Sequence, residues 1–294
     1  MMNDAVRTAR HWEPADRDSV RCVLCPHRCR IRPGQQGLCG VRENREGRLV
    51  TLVYGLLTAL ALDPIEKKPL RRFHPGSRIL SAGSLGCNLA CPFCQNHRIA
   101  KAAPGDVPAT ILSPRELADQ ALAARSQGNI GIAYTYNEPT VWFEYMHDTA
   151  KHLRREGMLN VMVTNGYIEP EPLTELLGVI DAFNIDLKGF QDSVYRNLQG
   201  SLRPVQETIR RAFESGTHVE VTTLVIPDLN DSSADMDSLC RWLASISPDI
   251  ALHLSRFFPM YRMKDRAPTP ADTILALEEI ARRHLNHVYI GNMS

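Results

Sequence analysis

Cys87, Cys91 and Cys94 stand in the run Gly86-Cys87-Asn88-Leu89-Ala90-Cys91-Pro92-Phe93-Cys94-Gln95-Asn96, a C-x3-C-x2-C spacing. Three thiolates on one short loop can hold three corners of a [4Fe–4S] cluster and leave the fourth iron open. Clusters that only carry electrons usually close all four corners with cysteine. An open iron therefore points to chemistry on a bound molecule. The alternatives explain fewer of these residues. Structural zinc takes four donors, and a redox dithiol needs only C-x2-C, which leaves Cys87 unexplained. A metal knuckle completed by a distant ligand is the plainest competitor.

A second cysteine group lies upstream. Cys22, Cys25, Cys29 and Cys39 form C-x2-C-x3-C-x9-C, with Gly34, Gly37 and Gly40 supplying turns. Four closely spaced sulfurs suit either zinc or a second iron–sulfur cluster. Structural zinc is the simpler expectation, because a closed knuckle stabilises a small module with little core. His27 is not expected as a ligand where four sulfurs already serve. Cys240, alone in an apolar stretch, reads as a buried thiol.

Size and composition frame this chemistry. The chain has 294 residues, 44% of them hydrophobic, and a formal charge of +1. That is long for one ordinary domain and short for two, and it suits an α/β barrel with an added module. There is no basic field to suggest nucleic acid. No apolar run approaches a membrane span, and the polar Met1–Val20 lacks a signal-peptide core. Cysteine-rich but unsecreted, the chain is expected in a reducing cytoplasm.

The elements that must position these residues fall into two regions. Residues 1–75 hold the four-cysteine module, a short strand near Leu49–Tyr54, and a charged connector from Asp63 to Pro69. Residues 76–294 alternate strand and helix. Strands are expected at Ile79–Ala82, Ile130–Tyr134, Val161–Thr164, Ala182–Ile185, Val219–Val225, Ala251–Leu254 and Val288–Ile290. One helix opens at Ser113-Pro114-Arg115-Glu116, a capping box with proline in the first turn. Others are expected over Val141–Glu156, Pro204–Glu214, Asp231–Ile246, with Asp231 as cap, and Pro270–His284. Such alternation gives a parallel sheet with right-handed crossovers, here a partial TIM-type (β/α)6 barrel.

Reactive groups in such barrels sit at the C-terminal strand ends, and polar residues do follow the strands here. The first strand runs into the cysteine loop. The second is followed by Glu138, which also suits a helix N-terminus. The third ends in Thr164-Asn165-Gly166, a turn. The fourth ends in Asp186-Leu187-Lys188, where alternation puts Asp186 and Lys188 on one side. Pro227-Asp228-Leu229-Asn230 follows the fifth. The sixth carries His253, which alone reads equally as a satisfied core histidine. Lys67, Lys68, Arg71 and Arg72 read as a solvated face, with an anion-binding mouth as the alternative.

At the cysteine loop, Phe93 included, the chain resembles the radical S-adenosylmethionine (SAM) superfamily. The resemblance implies a [4Fe–4S] cluster on Cys87, Cys91 and Cys94 with SAM chelating the open iron. It implies reductive cleavage of SAM to a 5′-deoxyadenosyl radical that takes hydrogen from substrate, and a low-potential flavodoxin- or ferredoxin-type electron donor. Glu138 corresponds to the acid of a Gly-Gly-Glu stretch that binds the SAM amino group, although the chain reads Asn137-Glu138-Pro139. Glycyl-radical activating enzymes share Thr164-Asn165-Gly166, Asp186-Leu187-Lys188 and His253. There the lysine lies near the SAM carboxylate and the histidine near SAM. Val163 replaces the acid that precedes their Thr-Asn-Gly, and the strand edge at Asp228 corresponds to one that lies against adenine.

The order of motifs narrows the resemblance. The four-cysteine knuckle, Tyr54-Gly55, Asp63-Pro64-Ile65-Glu66-Lys67-Lys68-Pro69, His74-Pro75-Gly76-Ser77, the cysteine loop, Asn137-Glu138-Pro139, Asp186-Leu187-Lys188, Ser255-Arg256-Phe257-Phe258-Pro259 and Gly291-Asn292 resemble the radical SAM member of the AmmeMemoRadiSam system. This family is related to pyruvate formate-lyase activating enzymes. It implies Memo-like and companion proteins as partners, and a cysteine-containing tail of longer relatives is expected to be missing after Ser294. The substrate is left open. A glycyl-radical activase is the second enzyme reading, and a structural metal protein the non-enzyme one.

Overall fold

The computed structural model describes residues 5–293; Met1 to Asp4 and Ser294, which the expected domain limits take in, lie outside them. The core element is an eight-stranded sheet. In chain order its strands are β1 (Ala59–Pro64), β2 (Arg78–Gly83), β3 (Asn129–Tyr134), β4 (Leu159–Thr164), β5 (Ala182–Asp186), β6 (His218–Val225), β7 (Ala251–Arg256) and β8 (Val288–Gly291). They lie side by side in that order. β2 to β8 are parallel, and β1 pairs antiparallel with β2. Among the described residues β1 and β8 do not pair, so the barrel is open along that seam.

The main crossover helices are α1 (Pro114–Ala123), α2 (Phe143–Arg155), α3 (Pro170–Leu177), α4 (Leu202–Glu214), α5 (Ser233–Ile246) and α6 (Ala271–Arg282). α1 has the expected capping box, Ser113 accepting from the Glu116 N–H and Glu116 from the Ser113 N–H. α5 is capped by Ser232 rather than Asp231. Asp231 instead accepts from the Asp228 N–H and closes the preceding turn. α2 begins later than the pattern suggests, because Pro139–Trp142 forms a 3-10 turn first. No helix among the described residues is long and apolar enough to cross a membrane.

The charged stretch from Asp63 differs from the expected connector. Asp63 and Pro64 end β1, and Ile65–Lys67 form a 3-10 turn. Ile65, Leu70 and Phe73 then plug the barrel floor against Ile79, Ala133, Val161 and Ala182. The three apolar side chains drive this segment inward, and the charges between them must find partners there.

The upstream region forms two small antiparallel sheets. Trp12–Pro14, Val20–Cys22 and Arg30–Ile31 make one, and Arg7–Thr8, Arg48–Thr51 and Arg42–Arg45 the other. The expected strand near Leu49–Tyr54 thus ends at Thr51 and begins one residue earlier. These sheets share one apolar cluster with the barrel, joined by Leu24, Val41, Leu49 and Val53 on one side and Trp142 and Phe143 on the other. The buried Arg42 pairs with Glu144 of α2.

Candidate active site

β2 leads straight into the cysteine loop, which lies across the C-terminal mouth. Several contacts fix it. The Ala90 N–H donates to Leu198 O (2.9 Å) and the Arg262 N–H to Pro92 O (2.9 Å). Lys101 Nζ donates to Leu89 O (2.7 Å). Phe93 is buried with Leu198, Ile226 and Phe257. His97 stacks on Tyr261 at 4.4 Å and bonds Cys94 O. Gly86 has φ +86°, and a Cβ there would meet Cys39 O at 2.8 Å, so only glycine lets the loop approach the four-cysteine module this closely.

Glu138 is the centre of the site. It is buried at 3% exposure. Its Oε1 accepts from the Thr164 hydroxyl (2.6 Å) and the Thr140 N–H (2.9 Å), and its Oε2 from the Asn165 N–H (2.8 Å). Burial pushes its carboxyl above the usual range, while these donors pull it back. Glu138 caps the 3-10 turn and also lies beside the cysteine loop, its N–H donating to Gly86 O and its charge acting on Cys87. Asn165 Nδ2 lies 3.8 Å from Cys87 Sγ and donates to Asn88 Oδ1 (2.8 Å). Asn137, in place of the expected glycine, accepts from the Ser84 N–H and donates to Leu85 O. The loops after β2, β3 and β4 are thereby tied together.

Lys188 Nζ lies 2.6 Å from Asp186 Oδ2. Burial alone would pull its ammonium down, but Asp186 and the nearby Cys91 hold it above its ordinary value. Burial pushes Cys91 up to about 11, against the opposing charges of Lys188 and Lys101. Lys101 also faces Cys87 and Cys94. A thiolate set at this loop thus meets two ammonium groups. Lys101 escaped the sequence reading, since a lone lysine after the loop carries no spacing signal.

His253 is not joined to this network. Its Nε2 lies 2.6 Å from Glu220 Oε2, and the ring stacks on Tyr289 at 5.3 Å. Glu220 is fully buried, accepts from the Arg71 and Arg72 N–H groups, and also pairs with His218. Burial opposes its charge, yet the two imidazoles and the backbone donors bring its carboxyl down to about 2. Asp186, Thr222, His253 and Tyr289 share one register row of neighbouring strands.

The lumen above the floor plug is polar. By alternation from Ile79, Ala133 and Ala182, Ser81 and Asn184 face inward with Thr222 and His253. Barrel interiors are ordinarily filled by branched apolar layers. Lys68, expected on a solvated face, is only 4% exposed, whereas Lys67, Arg71 and Arg72 are exposed as expected. Lys68 Nζ binds Asp63 Oδ2 at 2.9 Å, and Tyr136 OH donates to the same oxygen at 3.0 Å. Tyr136 carries φ +74°, a strained value for a tyrosine. It packs on Gly83, where a Cβ would meet its ring at 2.8 Å.

The upstream cysteines converge. Cys22, Cys25, Cys29 and Cys39 line one pocket with Arg42, His27 and Asn88. Arg42 Nη1 donates to Cys22 Sγ at 3.4 Å. Burial pushes Cys25 up to about 12 and Cys39 up to about 11. Four thiolates could persist there only beside a cation. Among the described residues no group of three or more His, Cys, Asp or Glu side chains is gathered tightly enough to hold a metal ion as it stands. The donor sets nevertheless fit a thiolate-bound metal or cluster: four cysteines with Arg42 at one place, and three with Lys101 and Lys188 at the other, to offset thiolate charge. Cys240 is buried against Met236.

A mainly parallel sheet with a cysteine loop and a buried carboxylate at its mouth defines an open α/β barrel with its candidate site at the C-terminal strand ends. The radical SAM superfamily model matches residues 83–240, more than half of the chain, and the chain belongs to that superfamily. It is an enzyme family whose cofactors are a [4Fe–4S] cluster and SAM. An uncharacterized protein of Methanocaldococcus jannaschii is 42% identical over 98% of this chain and 86% of its own. The benzylsuccinate synthase activating enzyme of Thauera aromatica is 25% identical over 78% of this chain and 70% of its own. A radical SAM methyltransferase from Sphaerobacter thermophilus superposes with TM-score 0.60 at 16% identity, covering 99% of this chain and 78% of that one. That likeness is one of fold.

Proposed function

We propose that Cys87, Cys91 and Cys94 hold the [4Fe–4S] cluster and that the surrounding strand ends hold SAM. The observation that carries this reading is the convergence on one loop of Glu138, bonded to Thr164 and Asn165, with Lys188 facing Cys91. Glu138 Oε2 keeps an open lone pair beside Asn165 for an ammonium group. Lys188, held cationic by Asp186, suits a carboxylate. His253 would serve from the barrel wall, oriented by Glu220. With cluster and SAM held there, the reduced cluster would supply the one electron that splits SAM into methionine and a hydrogen-abstracting 5′-deoxyadenosyl radical. The chain's own residues orient SAM, neutralise thiolate charge, and line a polar lumen for substrate. The four upstream cysteines are read as a structural zinc site, with a second cluster as the alternative. The electron donor is of flavodoxin or ferredoxin type.

Within the superfamily, the order of motifs supports the AmmeMemoRadiSam member, with Memo-like companions, acting on a substrate not yet named. Similarity to the Thauera enzyme, and to the pyruvate formate-lyase 1-activating enzyme of Escherichia coli at 25% identity over 57% of this chain, favours a second reading, activation of a partner glycyl-radical enzyme. Val163 and the four-cysteine module weigh against it. The deciding experiment follows deuterium into 5′-deoxyadenosine from labelled candidates. Label from a polar small molecule or peptide is expected. Label from a glycine of a partner enzyme would establish the activase instead, and no 5′-deoxyadenosine at all would sink both.

A further inference from the structure

The four-cysteine module reaches the active site by a side-chain hydrogen bond from His27. His27 Nε2 lies 2.6 Å from the carbonyl oxygen of Asn88. A carbonyl only accepts, so His27 must carry its proton on Nε2. Asn88 is the residue between Cys87 and Leu89, and its side chain continues the path. Its Nδ2 donates to Tyr167 O (2.7 Å), and its Oδ1 accepts from Asn165 Nδ2 (2.8 Å). Asn165 in turn donates its backbone N–H to Glu138 and points its amide at Cys87. Asn88, Asn165 and Glu138 are each at most 5% exposed. The His27 ring also packs on Tyr167 at 5.1 Å. Two further contacts hold the module to the barrel: Cys39 O and Val41 abut Gly86 of the cysteine loop, and the Glu169 N–H, in the segment after β4, donates to Leu24 O.

We infer that His27 and Asn88 are positioning residues, and that the four-cysteine module serves as a clamp setting where the Glu138 carboxylate and Cys87 stand relative to each other. The inference rests on the radical SAM reading of the loop. His27 reaches Cys87 and Glu138 only through Asn88 and Asn165, by the Asn88 carbonyl and the Asn165 amide. Beyond the part-buried His27–Asn88 bond the path is buried, so a lost donor leaves the Asn88 carbonyl poorly compensated and favours a shift of the loop. Supporting partners of this kind typically change affinity or activity by ten- to a hundredfold.

The test uses the reconstituted full chain. His27→Phe keeps the ring against Tyr167 and removes the donor; His27→Gln restores an N–H at the same reach. Arg28→Ala, which breaks the exposed Arg28–Glu169 pair between module and barrel without touching the Asn88 path, is the control. Expected for His27→Phe are wild-type iron, sulfide and zinc contents, SAM binding weaker by about tenfold, and a changed effect of SAM on the electron-paramagnetic-resonance spectrum of the reduced cluster. His27→Gln should recover most of both, and Arg28→Ala should match wild type. Unchanged SAM affinity and spectrum in His27→Phe would overturn the inference, as would equal damage from Arg28→Ala. Should His27→Phe not fold, Asn88→Ala cuts the same path from the other side and is read identically. A wild-type chain whose cluster spectrum ignores SAM would instead bring down the radical SAM assignment of the loop, a failure visible before any variant is compared.

Discussion

Lys68 lies under the ring of Tyr136, its Nζ 4.7 Å from the ring centroid, and both side chains bind the same oxygen of Asp63. The ammonium is buried, and it holds the Asp63 carboxyl well below the usual carboxylate range against the opposing effect of burial. This triad stands in the lumen, and Tyr136 is two residues before Glu138. Without Lys68, Asp63 keeps the exposed Lys67 (3.3 Å) and the Tyr136 hydroxyl as partners, and the loss of its buried partner costs about 2 kcal/mol. Lys68→Met is therefore expected to lower the stability measured by urea unfolding by that much at neutral pH. Asp63→Asn/Lys68→Met should cost less than the sum of the two single changes. Additive losses would mean the pair is uncoupled.

Tyr136→Phe tests the same wall differently. It removes one donor from Asp63 and leaves Lys68 in place, for a loss of about 1 kcal/mol. The strained φ of residue 136 is unrelieved, because the ring still packs on Gly83. If the lumen holds the substrate, label transfer from substrate should fall more than SAM cleavage without substrate. Equal effects on both would place Tyr136 with the cofactor.

Cluster and core thiols should separate cleanly. Cys91→Ala is expected to abolish SAM cleavage, since the loop loses one of three sulfurs. Cys240→Ala should leave cleavage intact and cost about 1 kcal/mol, as a small buried truncation beside Met236. Loss of cleavage in Cys240→Ala would show that this thiol is more than packing. Metal analysis of a chain lacking Cys87, Cys91 and Cys94 should find about one zinc per chain. Iron in that variant would identify a second cluster at Cys22, Cys25, Cys29 and Cys39.

Much of the site was legible because its chemistry is local in sequence. The cysteine spacing, the capping box at Ser113, and the polar residues after each strand are short-range patterns. Strand alternation was enough for the pairing of Lys188 with Asp186, while the place of Lys188 at the site came from the resemblance. What escaped was set by distant pairing. The segment from Ala59 to Pro64 is Ala-Leu-Ala-Leu-Asp-Pro, without the β-branched residues that mark a strand, and it forms one because β2 offers an open edge. Lys68 sits in a run of charges that reads as solvated, but Ile65 and Leu70 carry it into the barrel. His253 finds its partner in Glu220 on the neighbouring strand. Asp231 lost its expected cap to Ser232 because the turn from Asp228 claimed its carboxylate first.

Glu220 gives the protein an acid limb that can be measured. His218 and His253 face its two oxygens from β6 and β7, and the Arg71 and Arg72 N–H groups reach it from the floor segment. These donors stabilise the carboxylate in the folded chain, where its pKa falls from the ordinary 4.5 to about 2. A carboxyl depressed on folding contributes stability that is complete above its unfolded value and is lost as pH falls through the folded one. That contribution is about 3 kcal/mol at neutral pH, to be lost between pH 4.5 and about 2. Glu220→Gln should therefore be less stable than wild type at pH 7, and its urea midpoint should change less over that acid range. The gap between the two proteins should narrow steadily below pH 4.5. A gap that stays constant down to about pH 2 would show that the carboxylate is not selectively stabilised by the fold, and that His253 is held in the barrel by packing alone.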